Sequence, residues 1–499
     1  MFSRARCRVR SGCSDTRFCT TEAENPTIPK ISASVAMPAL IPLNSLTRSL
    51  TPEVSDFTGK PDATGKAPAS AKLASDHFAG VDALRGFVAI GVVLLHACVP
   101  YARPSMAGLS WSVTTEATSG PVTALFWAIE IVIMPIFLVI AGFFAARSFA
   151  TRGAWSTTRS RLHRLGKPVL WAVVFLLPIE FYIWMLGWLA EGQVTVREVR
   201  RMKFEGGVDQ YLWGLCHLWF LPYLMSYVAL VALAWNRISN LSPERVGRFA
   251  LTGCFLVAVL SLALRPEVVW GFQHAFLPVA SKWIYSGAFF AAGVFWFRMD
   301  PDLRRLAEQG TRILAPASLL MIASVATGIW WLDAMGDPTQ WMAGGWANTA
   351  SSNTASLNAD QTADGSTVGG WIVRLSLAIL TVASAAAFTF GLIGVFLSRI
   401  RRIGPVVRSL AGASFLIYLL HHPVVGLAHI SARFALPNVA PEIKVVLVTA
   451  LGVSVGWSVS WLAACHRERV AGRRNDSGEV HTLEFPTIGN TAPRRSRAA

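Results

Sequence analysis

Charge is what this sequence has least of. Asp, Glu, Lys and Arg make up only 15% of its 499 residues, while 53% are hydrophobic and the mean hydropathy is +0.45. Soluble domains run near one quarter charged, so the deficit excludes an ordinary soluble enzyme and reads as a polytopic membrane protein. The charges present are unbalanced, at net +16. No nucleic-acid partner is expected, because such binders gather basic residues on one folded soluble face. Here the arginines sit in short loops between apolar runs and in the two tails. Cysteine is scarce as well, and the seven present show neither metal-ligand spacing nor a disulfide framework. Cys7, Cys13 and Cys19 lie in a polar tail; Cys98, Cys216, Cys254 and Cys465 lie in or beside apolar segments and read as small packing residues. Also missing are a signal-peptide core in the first twenty residues, a phosphate-cradling Gly loop, zinc spacing and a Ser nucleophile elbow. No metal is expected.

What is present is a succession of apolar runs. Residues 1 to about 78, rich in Ser, Thr, Pro, Ala and Lys, read as a disordered cytoplasmic tail, within which Met37 is an alternative start. Ten segments of spanning length follow, near 84–101, 121–146, 168–190, 213–235, 249–264, 277–297, 313–332, 371–397, 409–430 and 443–464. The fold class expected is therefore all-α, with about ten transmembrane helices spanning 79–465 and a second disordered basic tail at 466–499. With both termini cytoplasmic, the inward loops hold 17 Arg and Lys against seven in the outward loops, as the positive-inside bias requires. The long outward loop 333–370 has no Lys or Arg but carries Asp333, Asp337, Asp360 and Asp364. Only 191–212 runs against the bias, and it reads as a short interfacial helix.

Ionisable residues inside such segments need a reason, since burying them unpaired costs about 2.5 kcal/mol or more. In LRGFVAIGVVLLH, residues 84–96, Arg85 and His96 are eleven positions apart. On an α-helix that is about 1100° of turn, which puts both on one face about 16 Å apart along the axis. Arg85 falls at the cytoplasmic edge after Asp82, where a snorkelling anchor is the plain alternative; His96 falls near mid-depth, where a packing histidine is. Glu130, Glu180, His421 and His422 fall at similar depth in other spans. Carboxylates and imidazoles gathered at one level suit proton transfer, and equally an ion or proton pathway. At the inner edge, RSRLHRLGKP (159–168) puts Arg161 and Arg164 at i, i+3, neighbours on a helix start whose first turn would hold Pro168. Paired guanidiniums suit phosphate recognition, although plain positive-inside charge accounts for them too. HLWFLPYL (217–224) opens the fourth span from outside. Its Trp219 and Tyr223 fit an aromatic belt, while His217 is placed to meet an incoming acceptor.

Five stretches in order, VDALRGFVAIGVVLLH, MPIFLVIAGFF, RLHR, HLWFLPYL and ASFLIYLLHHPVV, resemble the acyltransferase-3 family of integral membrane acyltransferases over about 78–465. MPIFLVIAGFF and HLWFLPYL are most similar to the branch containing glucan biosynthesis protein C, a glucan succinyl transferase. The resemblance implies ten helices, acyl-CoA on the cytoplasmic side and a carbohydrate acceptor reached from outside. It implies that His96 matches the essential histidine, Arg85 the conserved arginine, and Arg161 with Arg164 the donor-binding Arg-x-x-Arg pair. Where relatives carry Ser-Gly in the second span this chain has Ala141-Gly142, so any role for that serine is absent here.

The expected activity is O-acyl transfer, acetyl or succinyl, from acyl-CoA to a glycan hydroxyl at the inner (cytoplasmic) cell membrane. His96 would act as base or transient acyl carrier, with Glu130 or Glu180 as the orienting carboxylate and His217, Trp219, His421 and His422 toward the acceptor. The rival reading is a proton-coupled transporter or lipid-linked glycan flippase using the same buried Glu and His. The lack of an internal repeat and the cytoplasmic arginine pair count against it.

Overall fold

The computed structural model describes residues 78–335 and 368–476, apart from 206, 207, 210, 244, 245 and 274. The expected N-terminal tail, the alternative start at Met37, most of the 333–370 loop and residues 477–499 lie outside the described residues. All described residues belong to the unit Leu43–Ala499.

Every long element is a helix. Among the described residues there is no β-strand, only an isolated bridge between Ala107 and Gly271. The helices are α1 (Ala79–Cys98), α2 (Gly120–Arg152), α3 (Ala154–Trp171, continuing through Ala172–Leu176 and Leu177–Ala190), α4 (Val196–Arg201), α5 (Phe220–Ser239), α6 (Leu251–Leu264), α7 (Glu267–Trp270), α8 (Ala280–Met299), α9 (Arg304–Met335), α10 (Val368–Arg399), α11 (Pro405–Ala435) and α12 (Pro441–Asp476). Eight of them (α1, α2, α3, α5, α9, α10, α11 and α12) are long and apolar enough to cross a membrane. The chain is thus an all-α, multi-pass membrane protein. The expected fifth and sixth spans correspond to α6, only 14 residues long, and α8, 20 residues long and carrying Lys282 and Arg298.

Local chemistry explains the ends. Ser119 caps α2 by accepting from the Val122 N–H, with Pro121 in the first turn. Asp300 accepts from the backbone N–H groups of Arg304 and Arg305 and so starts α9. In the 191–212 loop, Thr195 and Glu198 form a reciprocal capping box around the short α4, the interfacial helix the sequence suggests. The Glu205 backbone N–H, then the Thr195 hydroxyl and N–H, hold the exposed Glu198 carboxyl below its ordinary range.

Pro168 is a correction. It lies inside α3 rather than in its first turn, because RSRLHR is already helical from Ala154. A proline interior to a helix removes one ladder bond, and the helix passes into a π turn at Ala172–Leu176 just beyond it. The last helix also runs on to Asp476, past the point at 466 where the tail is expected.

Two faces of α3 separate cleanly. Leu170, Val174, Phe175, Ile179, Tyr182 and Leu186 are exposed, while Glu180, Trp184 and Trp188 are buried, as expected for a helix with one side in lipid. At the centre, α2 and α8 cross so closely that a Cβ on Gly142 would lie 2.0 Å from the Phe290 carbonyl oxygen, and one on Gly293 2.1 Å from that of Val139. Small residues are what permit such backbone approach in a membrane.

Candidate active site

The site is assembled from α1, α3, α11 and the turn Cys216–Trp219. Its distinctive element is the loop 102–119 between α1 and α2, which folds inward. Trp184 and Trp188 of α3 donate their indole N–H groups to the carbonyls of Ser110 (3.0 Å) and Trp111 (2.7 Å), and Ser112 donates to the Gly426 carbonyl on α11 (3.1 Å). These bonds satisfy loop backbone at membrane depth, where irregular chain is tolerated only when buried in protein. Gly187 makes room for it: a Cβ there would lie 1.8 Å from the Ser112 carbonyl oxygen.

Trp111, carried by this loop, stacks on His96 with ring centroids 5.9 Å apart. Its indole N–H donates to His429 Nδ1 at 3.0 Å, which assigns the His429 proton to Nε2, 3.1 Å from the Ala97 carbonyl. His429 thereby ties the loop to α1.

His96 lies on α1 as the eleven-residue spacing from Arg85 predicts. Its Nδ1–H donates to the Val92 carbonyl at 2.8 Å, leaving Nε2 with the lone pair. His421 Nδ1–H donates to the Tyr418 carbonyl at 2.7 Å, so its own Nε2 is an acceptor, 3.4 Å from His96 Nδ1. His96 is therefore flanked by two acceptors on one nitrogen and is a proton acceptor at the other. His422 packs edge-on against His96 at 4.7 Å.

Glu180 is wholly buried between two further imidazoles: Oε2 lies 3.2 Å from His217 Nδ1, and Oε1 lies 2.9 Å from His422 Nδ1. His217, His422 and Trp184 form a ring stack, with centroids 4.7 and 5.1 Å apart. On its far side His217 meets the Leu419 carbonyl through Nε2 at 3.1 Å. Pro423, inside α11, explains why that carbonyl is free, since a proline N has no hydrogen to give to the residue four before it.

A cavity of about 40 Å³ runs between these groups, lined by His96, His217, His422, Trp184, Trp219 and Cys216 among others. Sequence-chosen residues thus meet here: His96, His217, His421, His422 and Glu180 cluster, and Trp219 lines the same cavity. Glu130 is not among the lining residues; its electrostatic partner is Lys282, whose ammonium sits 3.8 Å over the Trp219 ring. Sequence reading missed Trp111, Trp184, Cys216 and His429. Trp111, in LSWSV, had no legible signal in a loop expected outside. His429 follows His422 by seven residues, two helical turns, and that spacing was a usable clue.

The arginines lie apart from this cluster. Arg85 pairs with Asp82 at 3.3 Å at the start of α1. Arg161 and Arg152 both donate to Ser148 Oγ near the end of α2, at 3.5 and 3.3 Å, and Arg164 is an electrostatic neighbour of Arg161. Three guanidiniums held together against their mutual repulsion make a surface suited to an anion.

The Acyltransferase domain of the acyltransferase-3 family matches residues 78–464. No curated protein and no solved structure matches the chain significantly.

Proposed function

The chain belongs to the acyltransferase-3 family and is a membrane acyltransferase, and from that premise we propose that it moves an acetyl or succinyl group from cytoplasmic acyl-CoA to a hydroxyl of an extracytoplasmic carbohydrate. The membrane proposed is the cytoplasmic one, and the glucan-succinylating branch is the proposed affinity within the family. The observation that carries the reading is His96: a half-buried imidazole whose Nδ1–H is engaged and whose remaining nitrogen bears a lone pair, on the wall of a cavity inside the helix bundle.

In the proposed reaction, the coenzyme A phosphates bind Arg85, Arg161 and Arg164, whose forked donors suit them. The acyl thioester reaches the cavity, and an acceptor hydroxyl gives its proton to His96 Nε2. The hydroxyl oxygen bonds the acyl carbon, the C–S bond breaks, and the coenzyme A sulfur leaves as thiolate, which the imidazolium proton can neutralise. His421 Nε2 and the Val92 carbonyl hold the tautomer, the part a carboxylate plays in a Ser-His-Asp triad. Glu180 acts on His96 through its field and through His422. Glu130, beside Lys282, is proposed no closer than the far side of Trp219. Transfer through an acyl-histidine, with Nε2 as nucleophile, uses the same tautomer.

Labelled acetyl-CoA and succinyl-CoA, supplied to vesicles carrying the protein and an oligoglucan, test the reading. Wild type should label the glycan and His96→Ala should not; equal labelling by the two would remove His96 from catalysis.

A further inference from the structure

The buried carboxylate of Glu180 sits between His217 and His422, an arrangement that its field on His96 alone does not require. One carboxylate oxygen and one ring nitrogen from each histidine lie within 4.8 Å of one another, and all three residues are buried. The closest contacts, 2.9 and 3.2 Å, are within hydrogen-bonding distance. These contacts fall outside strict hydrogen-bond geometry, so the carboxylate meets the two rings as a close charge partner. A wholly buried carboxylate facing two imidazole nitrogens in a membrane protein interior calls for positive charge beside it.

The hydrogen bond on the far side of His217 sharpens the point. Nε2 faces the Leu419 carbonyl, an obligate acceptor, so the ring proton belongs on Nε2. Nδ1 then turns a lone pair toward a carboxylate 3.2 Å away. Two electron-rich atoms at that separation call for a cation between them, either a second ring proton or a metal ion. A histidine that donates one ring N–H to a backbone carbonyl and offers the other nitrogen is also the usual setting of a metal-bound imidazole. Here the supporting carbonyl is released by Pro423, so the arrangement is built into α11.

The ligand-bearing elements are held firmly. Cys216, immediately before His217, adopts a left-handed backbone at φ 47°, a conformation that costs a non-glycine residue and persists where the surroundings enforce it. The Tyr418 hydroxyl donates to the His217 carbonyl. Trp184 covers the outer face of His422.

We propose that Glu180, His217 and His422 bind a divalent transition-metal ion, zinc by the chemistry of the donors. Two imidazole nitrogens and one carboxylate form the borderline set that zinc takes at catalytic sites, with a further coordination position left open. His217 and His422 both line the cavity, so the open position is available to a water or substrate oxygen beside His96. A zinc ion there supplies a Lewis acid for a carbonyl or hydroxyl oxygen. The site stands whatever group the protein transfers. The separation of its donors along the chain is why no metal-ligand spacing shows in the sequence, where none was expected.

The test is metal content, read without any substrate. Tag-free, full-length protein in nanodiscs, loaded with zinc and dialysed, should retain about one zinc per chain by elemental mass spectrometry. Glu180→Gln and His422→Ala should retain less than about a tenth of that, and His421→Ala, outside the donor set, should retain it all. Cobalt in place of zinc should give visible d–d absorption in wild type that is absent from Glu180→Gln. Because the ligand variants can fail to fold, the wild type alone is also melted with and without chelator: metal removal should lower its melting temperature, and zinc should restore it. Wild type that retains no zinc or shows no chelator-dependent shift, or a His422→Ala protein holding wild-type zinc, overturns the proposal. A metal-free but active protein would leave acyl transfer standing and remove only the ion.

Discussion

A single missing N–H organises much of the histidine cluster. Pro423 leaves the Leu419 carbonyl without its helical partner, and His217 takes it. Replacing Pro423 with alanine should let the α11 ladder close over that carbonyl, firming the helix by up to about 3 kcal/mol while releasing His217. The expected result is a protein at least as thermostable as wild type but slower in transfer; unchanged kcat would show that the carbonyl does not position His217. His421 gives the companion prediction. Because its Nε2 lies beside His96 Nδ1, His421→Ala should lower kcat by about a hundredfold with little change in the donor KM. A matching rise in KM would mark a binding role instead. At this scale the sequence was informative where chemistry was out of place, as with His96 in an apolar run, and silent where it was ordinary. Trp111 looked like any loop tryptophan, because only the tertiary fold turns that loop inward.

Helix identity was legible from apolar runs, since lipid demands unbroken hydrophobic stretches with internally satisfied backbones. Helix ends were less so. RSRLHR read as the start of a helix whose first turn holds Pro168, yet α3 already begins at Ala154, so its basic stretch is well inside the helix. The crossing of α2 and α8 is a property of elements rather than of any side chain, and it rests on Gly142 and Gly293. Gly142→Ala should force the helices apart and cost about 1–3 kcal/mol, seen as a lower melting temperature in detergent. Gly412→Ala, where a Cβ meets nothing within 4 Å, is the control and should be neutral or slightly stabilising. Equal melting of the two variants would mean that the crossing is not tightly packed in the membrane.

Over the whole molecule, charge is sorted along the bundle. The helix ends that meet at the α2–α3, α8–α9 and α10–α11 junctions, with the loop between the last pair, carry the arginine clusters, whereas Glu116 and Glu191, near the opposite helix ends, are paired locally with Lys444 and Arg433. Substrates of opposite character therefore suit opposite ends. On the proposed reading, a polyphosphate donor would meet Arg85, Arg161 and Arg164, and an acceptor would enter beneath the loop that carries Trp111. The cavity that carries His96, His217 and His422 lies within the bundle. Arg161→Ala separates the two ends experimentally. Removing a charge-assisted phosphate contact should raise the acyl-CoA KM roughly tenfold or more, with kcat and the acceptor KM nearly unchanged. The wild-type donor KM should also rise with salt, and the variant's less steeply, because one ionic contact to the donor is lost. In vesicles of known orientation, acyl-CoA should support transfer only from the arginine-rich face. Equal transfer with donor on either side would break the proposed division of the molecule into a donor end and an acceptor end.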